Sequence, residues 1–219
     1  MRTVAIVPIK LNNRRLPQKN TIPFTNGEPL CYYVLSTLLK VQDINDIFVY
    51  CSNPEIVAYL PEGIKFLKRS ETLDQDTTSI NEVLRSFSYQ EEADIYILSH
   101  ATAPFISEKS IQMGLDAVLK KGYDSAFSVK KIQEFLWAQG KPLNFDLSNI
   151  PRTQDLPLIY QETSGFYVFR REVIRTLNRR VGLNPFMVEV SEIESVDIDE
   201  KEDFMIADAI FNQIIINKT

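Results

Sequence analysis

The chain is short of histidine, cysteine and surplus positive charge, and each shortage removes a class of chemistry. His100 is the single histidine among 219 residues, which excludes a histidine-based triad and a multi-histidine metal site. The two cysteines, Cys31 and Cys51, lack metal-site spacing and read as reduced core thiols, as expected of a cytoplasmic protein. Formal net charge is −5, so a general nucleic-acid surface, which calls for a basic excess, is not expected. No apolar run approaches the roughly 18 residues of a membrane span. The run in Met1 to Pro8 is also too short for a signal peptide, so no membrane partner is expected.

What is present is ordinary for a globular protein: 44% apolar and 24% charged residues, enough for a sizeable core. A length of 219 is large for one domain and small for two, which predicts a single domain over 1–219 with a small excursion. Val4 to Ile9, Ile47 to Cys51, Ile64 to Leu67, Ile95 to Ser99 and Ser125 to Val129 are short apolar runs that read as buried strands. Between them lie helical stretches at Pro29 to Val41, after Asn53-Pro54, at Thr78 to Tyr89 and at Ser107 to Leu119, with capping residues at their starts. This alternation predicts a mostly parallel sheet with crossover helices. The pattern changes at Ile132 to Pro151, where Gly140-Lys141-Pro142 and Trp137 suggest a β-hairpin or arm. Gly165 to Phe169, Met187 to Val190 and Ser195 to Ile198 read as strands, Arg171 to Asn178 as a short helix, and Glu200 to about Ile215 as a final amphipathic helix.

Three segments carry candidate chemistry. Lys10 to Asn20 follows the first strand and holds Lys10, Arg14, Arg15 and Lys19 without an acid. In open parallel sheets ligands bind at the carboxyl ends of strands. A cation 4 Å from a phosphate charge gains about 1 kcal/mol in water and about 4 kcal/mol near a protein surface, so several cations suit a triphosphate. The bland alternative is a solvated basic turn. In Ser195-Val196-Asp197-Ile198-Asp199, a strand would set Asp197 and Asp199 on one side, about 6.5–7 Å apart, which suits a divalent cation shared with substrate phosphates. Its alternative is a helix N-terminus that attracts acids, which fits Glu200 and Asp203 better than the pair flanking Ile198. Arg152 and Gln154, in Pro151 to Pro157, suit a carboxylate and hydroxyls, although a loop arginine is more often solvated.

Taken in order, these segments resemble the CMP-sialic acid synthetase (acylneuraminate cytidylyltransferase) family over nearly the whole chain. The family's ARGGSKRLPGKN is matched at equal length by Ile9 to Asn20. Its LASD and following hydroxyl residues resemble Leu73 to Ser79, and its QPTSP resembles His100 to Pro104. RQDLP…Y…NGAIY resembles Arg152 to Tyr167, and DIDxxxDF is intact in Asp197-Ile198-Asp199 and Asp203-Phe204. There are departures: Lys10, Leu11, Asn12 and Asn13 replace the arginine, glycine pair and serine, His100 replaces glutamine, and Thr163 and Ser164 replace asparagine and glycine. Lost glycines restrict close backbone approach to phosphate, and the asparagine side chains are the substitute donors.

The resemblance implies a three-layer, nucleotide-diphospho-sugar-transferase-like (Rossmann-like) fold with a small dimerisation arm at about 132–150. It further implies transfer of CMP from CTP to the anomeric hydroxyl of a nonulosonic sugar acid by a homodimer. Asp197 and Asp199 would hold Mg²⁺, while Lys10, Arg14 and Lys19 would offset triphosphate charge. Asn12, Asn13, Asn20, Arg69 and Ser79 would lie on the nucleotide side, Arg152, Gln154 and Thr163 around the sugar, and His100 and Thr102 would bind substrate, with a hydrogen-bonded structural role the equal alternative for His100. Two other classes share features: a glycosyltransferase, because Asp197-Ile198-Asp199 is also a D-x-D pattern, and a non-catalytic nucleotide-sugar binder. Pyrophosphate release separates the first from a synthetase, and CTP binding without turnover would identify the second.

Overall fold

A computed structural model describes residues 1–215; the last four residues of the expected single domain, 216–219, lie outside the described residues. In chain order the elements are β1 (Thr3–Pro8), α1 (Leu30–Leu38), β2 (Asp46–Cys51), β3 (Lys65–Lys68), α2 (Ile80–Gln90), β4 (Ile95–Ser99) and α3 (Glu108–Lys120). There follow β5 (Ser125–Ile132), β6 (Trp137–Ala138), β7 (Lys141–Pro142), β8 (Ile159–Arg170), α4 (Arg171–Leu177), β9 (Pro185–Glu189) and α5 (Lys201–Ile210). Seven strands form one sheet in the order β3-β2-β1-β4-β8-β5-β9. All neighbours are parallel except β8, which runs antiparallel to both β4 and β5. Among the described residues no helix is long and apolar enough to cross a membrane.

The continuous apolar runs form buried strands because both sheet faces are covered. In β1, Ala5 and Val7 face one core with α1 and α3 residues Val34, Leu38, Ile111 and Leu115. Val4 and Ile6 face the other, with Val83, Phe87, Val173 and Ile174 from α2 and α4. That is the expected three-layer arrangement. Helix starts follow the capping chemistry of the sequence. Ser79 and Glu82 form a reciprocal capping box on α2, and Ser107 caps α3. The first α5 turn has a similar pair in Glu200 and Asp203, so these acids are capping groups. Cys31 and Cys51 are free and buried, and burial pushes the Cys31 thiol up to about 12.

Two expectations need correction. β8 is longer than Gly165 to Phe169 and antiparallel; its start pairs with the end of β5 across an irregularity between Phe127 and Val129. Ser128 fills that bulge, its hydroxyl accepting from Thr163 Oγ1 at 2.7 Å and from the Phe166 amide at 3.1 Å. Ser195 to Ile198 is not a strand. The amides of Ser195 and Val196 bond back to Ser191 and Ile193, so the chain turns there, and the residues that follow up to Asp199 form no regular element. The predicted hairpin is present as the β6–β7 pair, with Trp137 opposite Pro142.

Candidate functional site

The site forms at the carboxyl edge of the parallel strands, where β1 gives way to Lys10 to Asn20 and β4 to His100. The loop is folded on itself. Asn20 is buried and its Nδ2 donates to the Lys10 carbonyl at 3.0 Å and to Asn13 Oδ1 at 3.4 Å. Gln18 takes a left-handed conformation, φ 57°, which turns the chain into the 3₁₀ turn Lys19–Thr21. That turn buries the Lys19 side chain. Its ammonium donates to the Ile198 carbonyl at 2.7 Å and to Asp199 Oδ1 at 3.1 Å.

The acid segment is held by backbone. The Ile198 amide donates to the Thr102 carbonyl at 2.9 Å and the Asp199 amide to Asp203 Oδ2 at 2.9 Å. Ile198 itself is fully buried against Phe24, Leu30 and Phe105. Upstream, Glu194 accepts from the Ser107 amide and the Ser110 hydroxyl, which ties the turn before the acids to the start of α3. Asp199 faces the loop. Arg15 lies 3.0 Å from Oδ1 beside Lys19. Burial pushes the Asp199 carboxyl up, but Lys19 and Arg15 outweigh it and hold the group below the usual carboxylate range. Asp197 differs: its Oδ1 is buried with no hydrogen-bond partner among the described residues. A desolvated carboxylate oxygen without a donor is costly unless a cation meets it. Asp197 and Asp199 therefore fit an oxygen-seeking divalent cation. Among the described residues no third carboxylate, histidine or cysteine joins them, so further ligands would come from phosphate and water.

Two clefts flank the loop. One of about 300 Å³ is lined by Lys10, Arg14, Arg15 and Lys19 with only Asp76 and Asp199 opposing them. Lys10 and Arg14 pair with Asp76, not with the acid pair. Four cations against two carboxylates leave this cleft with a positive surplus. The larger cleft, about 930 Å³, lies on the other side of the loop against the ends of β2 and β3; Asn12, Ser52, Asn53, Lys68 and Asp74 line it. Beside it Arg69 is buried, ion-paired with Asp74, which also accepts a hydrogen bond from Ser52.

A second group adjoins the acid pair. His100 meets the Tyr167 ring edge-on, with centroids 6.4 Å apart. Burial, with Arg180 and Lys19 nearby, pushes His100 down to about 4, so it is neutral. Tyr167 donates to Glu162 Oε1 at 2.5 Å, and Arg180 donates to the same oxygen at 2.8 Å. Burial, above all, raises the Tyr167 phenol, keeping it a donor.

The remaining expected residues are placed as follows. Ser79 serves the α2 cap. Thr163 gives its hydroxyl to Ser128, so the structure assigns it to the bulge. Thr102 positions Ile198 through its carbonyl. Arg152 and Gln154 are exposed at the foot of the hairpin, and Arg152 pairs with Asp155 of its own turn. Neither lines the two clefts. Asp76, Glu162, Tyr167 and Arg180 were not assigned from sequence, and Arg15 was read only as one cation of the basic run. Arg180 had no local signal, because only folding brings it to Tyr167.

A doubly covered, mostly parallel sheet with a cationic loop and an acid pair at one edge defines a nucleotidyltransferase-like protein. A model of the cytidylyltransferase family matches residues 4–215, and the chain belongs to that family. N-acylneuraminate cytidylyltransferase A of Danio rerio is 29% identical over 93% of this chain and 49% of its own length. A Helicobacter pylori protein, pseudaminic acid cytidylyltransferase and UDP-2,4-diacetamido-2,4,6-trideoxy-beta-L-altropyranose hydrolase, is 24% identical over 95% of this chain and 42% of its own. The chain thus spans about half the length of these curated relatives or less. A solved CMP:2-keto-3-deoxy-manno-octonic acid synthetase complexed with CTP superposes with a TM-score of 0.74 at 18% identity, covering 97% of this chain and 99% of that one. It shares the fold.

Proposed function

We propose that the protein transfers CMP from CTP to the anomeric hydroxyl of a nonulosonic, sialic-acid-like sugar acid. The observation that carries this reading is the meeting of Lys19 and Arg15 with Asp199 beside the unpartnered oxygen of Asp197. The sugar oxygen forms a bond to the α-phosphorus, the bond to the β-phosphate oxygen breaks, pyrophosphate leaves, and the hydroxyl proton is released. Such transfers depend on positioning and charge neutralisation. Lys10, Arg14, Arg15 and Lys19 offset triphosphate charge in the smaller cleft. The nucleoside lies toward the larger cleft, beside Arg69. Asp197 and Asp199 would hold Mg²⁺, which would neutralise phosphate charge and acidify the attacking hydroxyl.

In this reading the chain works as a homodimer. Trp137, Leu143, Leu147 and Ile150 are each more than half exposed on the hairpin segment, an apolar surface suited to a second copy. Arg152 and Gln154, at its foot, then reach the partner's sugar pocket. Sedimentation showing a monomer at micromolar concentration would remove this part. The buried free thiols favour a reducing, cytoplasmic setting.

The test is pyrophosphate release with CTP, Mg²⁺ and a panel of sugar acids. Turnover with a nonulosonate is expected. No activity with any nonulosonate or with the eight-carbon keto-acid sugar would sink the substrate class.

A further inference from the structure

We propose that Arg180 anchors the carboxylate of the sugar acid, a role that rests on the cytidylyltransferase reading and assigns its acid-recognising group. Arg180 lies in the loop between α4 and β9. Its guanidinium carbon sits 4.0 Å from the centre of the Tyr167 ring, so the planar fork is held against an aromatic face. Among the described residues it makes one side-chain hydrogen bond, Nη2 to Glu162 Oε1. Its remaining donors have no acceptor among the described residues, although the side chain is only 26% exposed. A partly desolvated guanidinium with open donors is suited to a two-pronged bond with a carboxylate.

Its surroundings favour that ligand. Tyr167 lies opposite Leu98 of β4, two residues before His100. Arg180 stacks on Tyr167, the Tyr167 ring meets His100, and Thr102, two residues on from His100, holds the Ile198 amide between the two acids, so contacts link Arg180 to the acid pair's edge of the sheet. A sugar carboxylate brought to this edge would be repelled by Asp197, Asp199 and Glu162. Arg180 supplies a positive charge from the chain's own strand edge that offsets this repulsion, while Lys19 and Arg15 are engaged with Asp199.

The loop is built to aim it. Asn178 ends α4 in a left-handed conformation, φ 52°. The Gly182 amide donates to Ser125 Oγ at 2.8 Å, and the amides of Leu183 and Asn184 donate to Asp124 Oδ2 at 2.6 and 2.9 Å. A Cβ on Gly182 would stand 2.2 Å from Asp124 Oδ1, so only glycine permits the carboxylate to clamp this backbone. Glu162, which also accepts from the Tyr167 hydroxyl, is the carboxylate that a sugar acid would compete with for Arg180.

The test compares wild type with Arg180→Met and Arg180→Lys, varying a sugar acid that the wild type accepts and, separately, its methyl ester. Arg180→Met should raise KM for the acid roughly tenfold or more, leave KM for CTP within about twofold, and lose the wild-type preference for acid over ester. Arg180→Lys should fall between. An unchanged KM for the acid with the acid–ester preference intact would overturn the proposal while leaving the activity standing. A wild type inactive on every sugar acid would instead overturn the activity itself. If Arg180→Met melts at assay temperature, Glu162→Gln replaces it. Removing the counter-charge frees Arg180 and should lower KM for the acid, whereas a rise would count against the anchor.

Discussion

Lys19 Nζ stands 3.1 Å from Asp199 Oδ1, joining two residues 180 positions apart and fastening the basic loop to the acid pair. The lysine is nearly enclosed, its side chain 9% exposed, and its second bond goes to the Ile198 carbonyl. The loop is therefore shaped before any phosphate arrives, which lowers the ordering cost of binding.

Replacing Lys19 with methionine keeps the bulk and removes the donor. The Ile198 carbonyl loses its ammonium donor, and Asp199 keeps the ion pair with Arg15. The expected loss is about 1–3 kcal/mol of stability, with a higher KM for CTP. Arginine should not restore either, because its planar fork does not match a buried pocket shaped for an ammonium. Urea unfolding of both variants, with KM measured alongside, checks this; full stability and unchanged KM for Lys19→Met would show that the contact is incidental.

Asp197 predicts the opposite balance. Its Oδ1 is buried and has no hydrogen-bond partner among the described residues, so without a cation this carboxylate oxygen is uncompensated. Asp197→Asn removes that charge and should leave the melting temperature unchanged or raise it, while metal-dependent turnover falls on the order of a hundredfold or more. Stability and activity moving apart is the signature of a group retained for chemistry. Thermal melts paired with a Mg²⁺ titration of pyrophosphate release decide it, and a melting temperature several degrees lower would reveal a structural role instead.

The sequence made the sheet legible because parallel strands covered on both faces are continuous apolar runs; Val4 to Val7 is fully buried. It misled where one residue type serves two backbones. Ser195 to Ile198 has strand-like alternation, yet Glu194 and Ser191 close a turn just before it, with the glutamate accepting from the Ser191 amide and hydroxyl. The acids were visible through their spacing, and the loop through its charge. Which cation meets which acid was not, because Arg15 and Arg14 are neighbours and only the fold sends one to Asp199 and the other to Asp76. Arg180 was hidden for a related reason: its stacking partner Tyr167 and ion partner Glu162 come from the preceding strand.

Glu194 gives a prediction in pH. Its carboxylate accepts four hydrogen bonds, from the Ser107 amide, the Ser110 hydroxyl and the amide and hydroxyl of Ser191. Burial pushes this carboxyl up, but those donors outweigh burial and leave it below its ordinary value of 4.5. The folded protein therefore releases this proton more readily than the unfolded chain. Around pH 4 the unfolded state binds more protons, so stability rises with pH there. The contribution is complete above the unfolded value and is lost as pH falls through the lower, folded one. Glu194→Gln keeps the shape but cannot accept at its amide nitrogen, and should cost about 1–3 kcal/mol at neutral pH. The gap between wild type and variant should hold steady from pH 7 to about 5 and narrow below about 4. Urea midpoints measured across that range test it. A gap that persists undiminished at pH 3 would mean that the carboxylate's charge contributes nothing to holding the acid-bearing segment against α3.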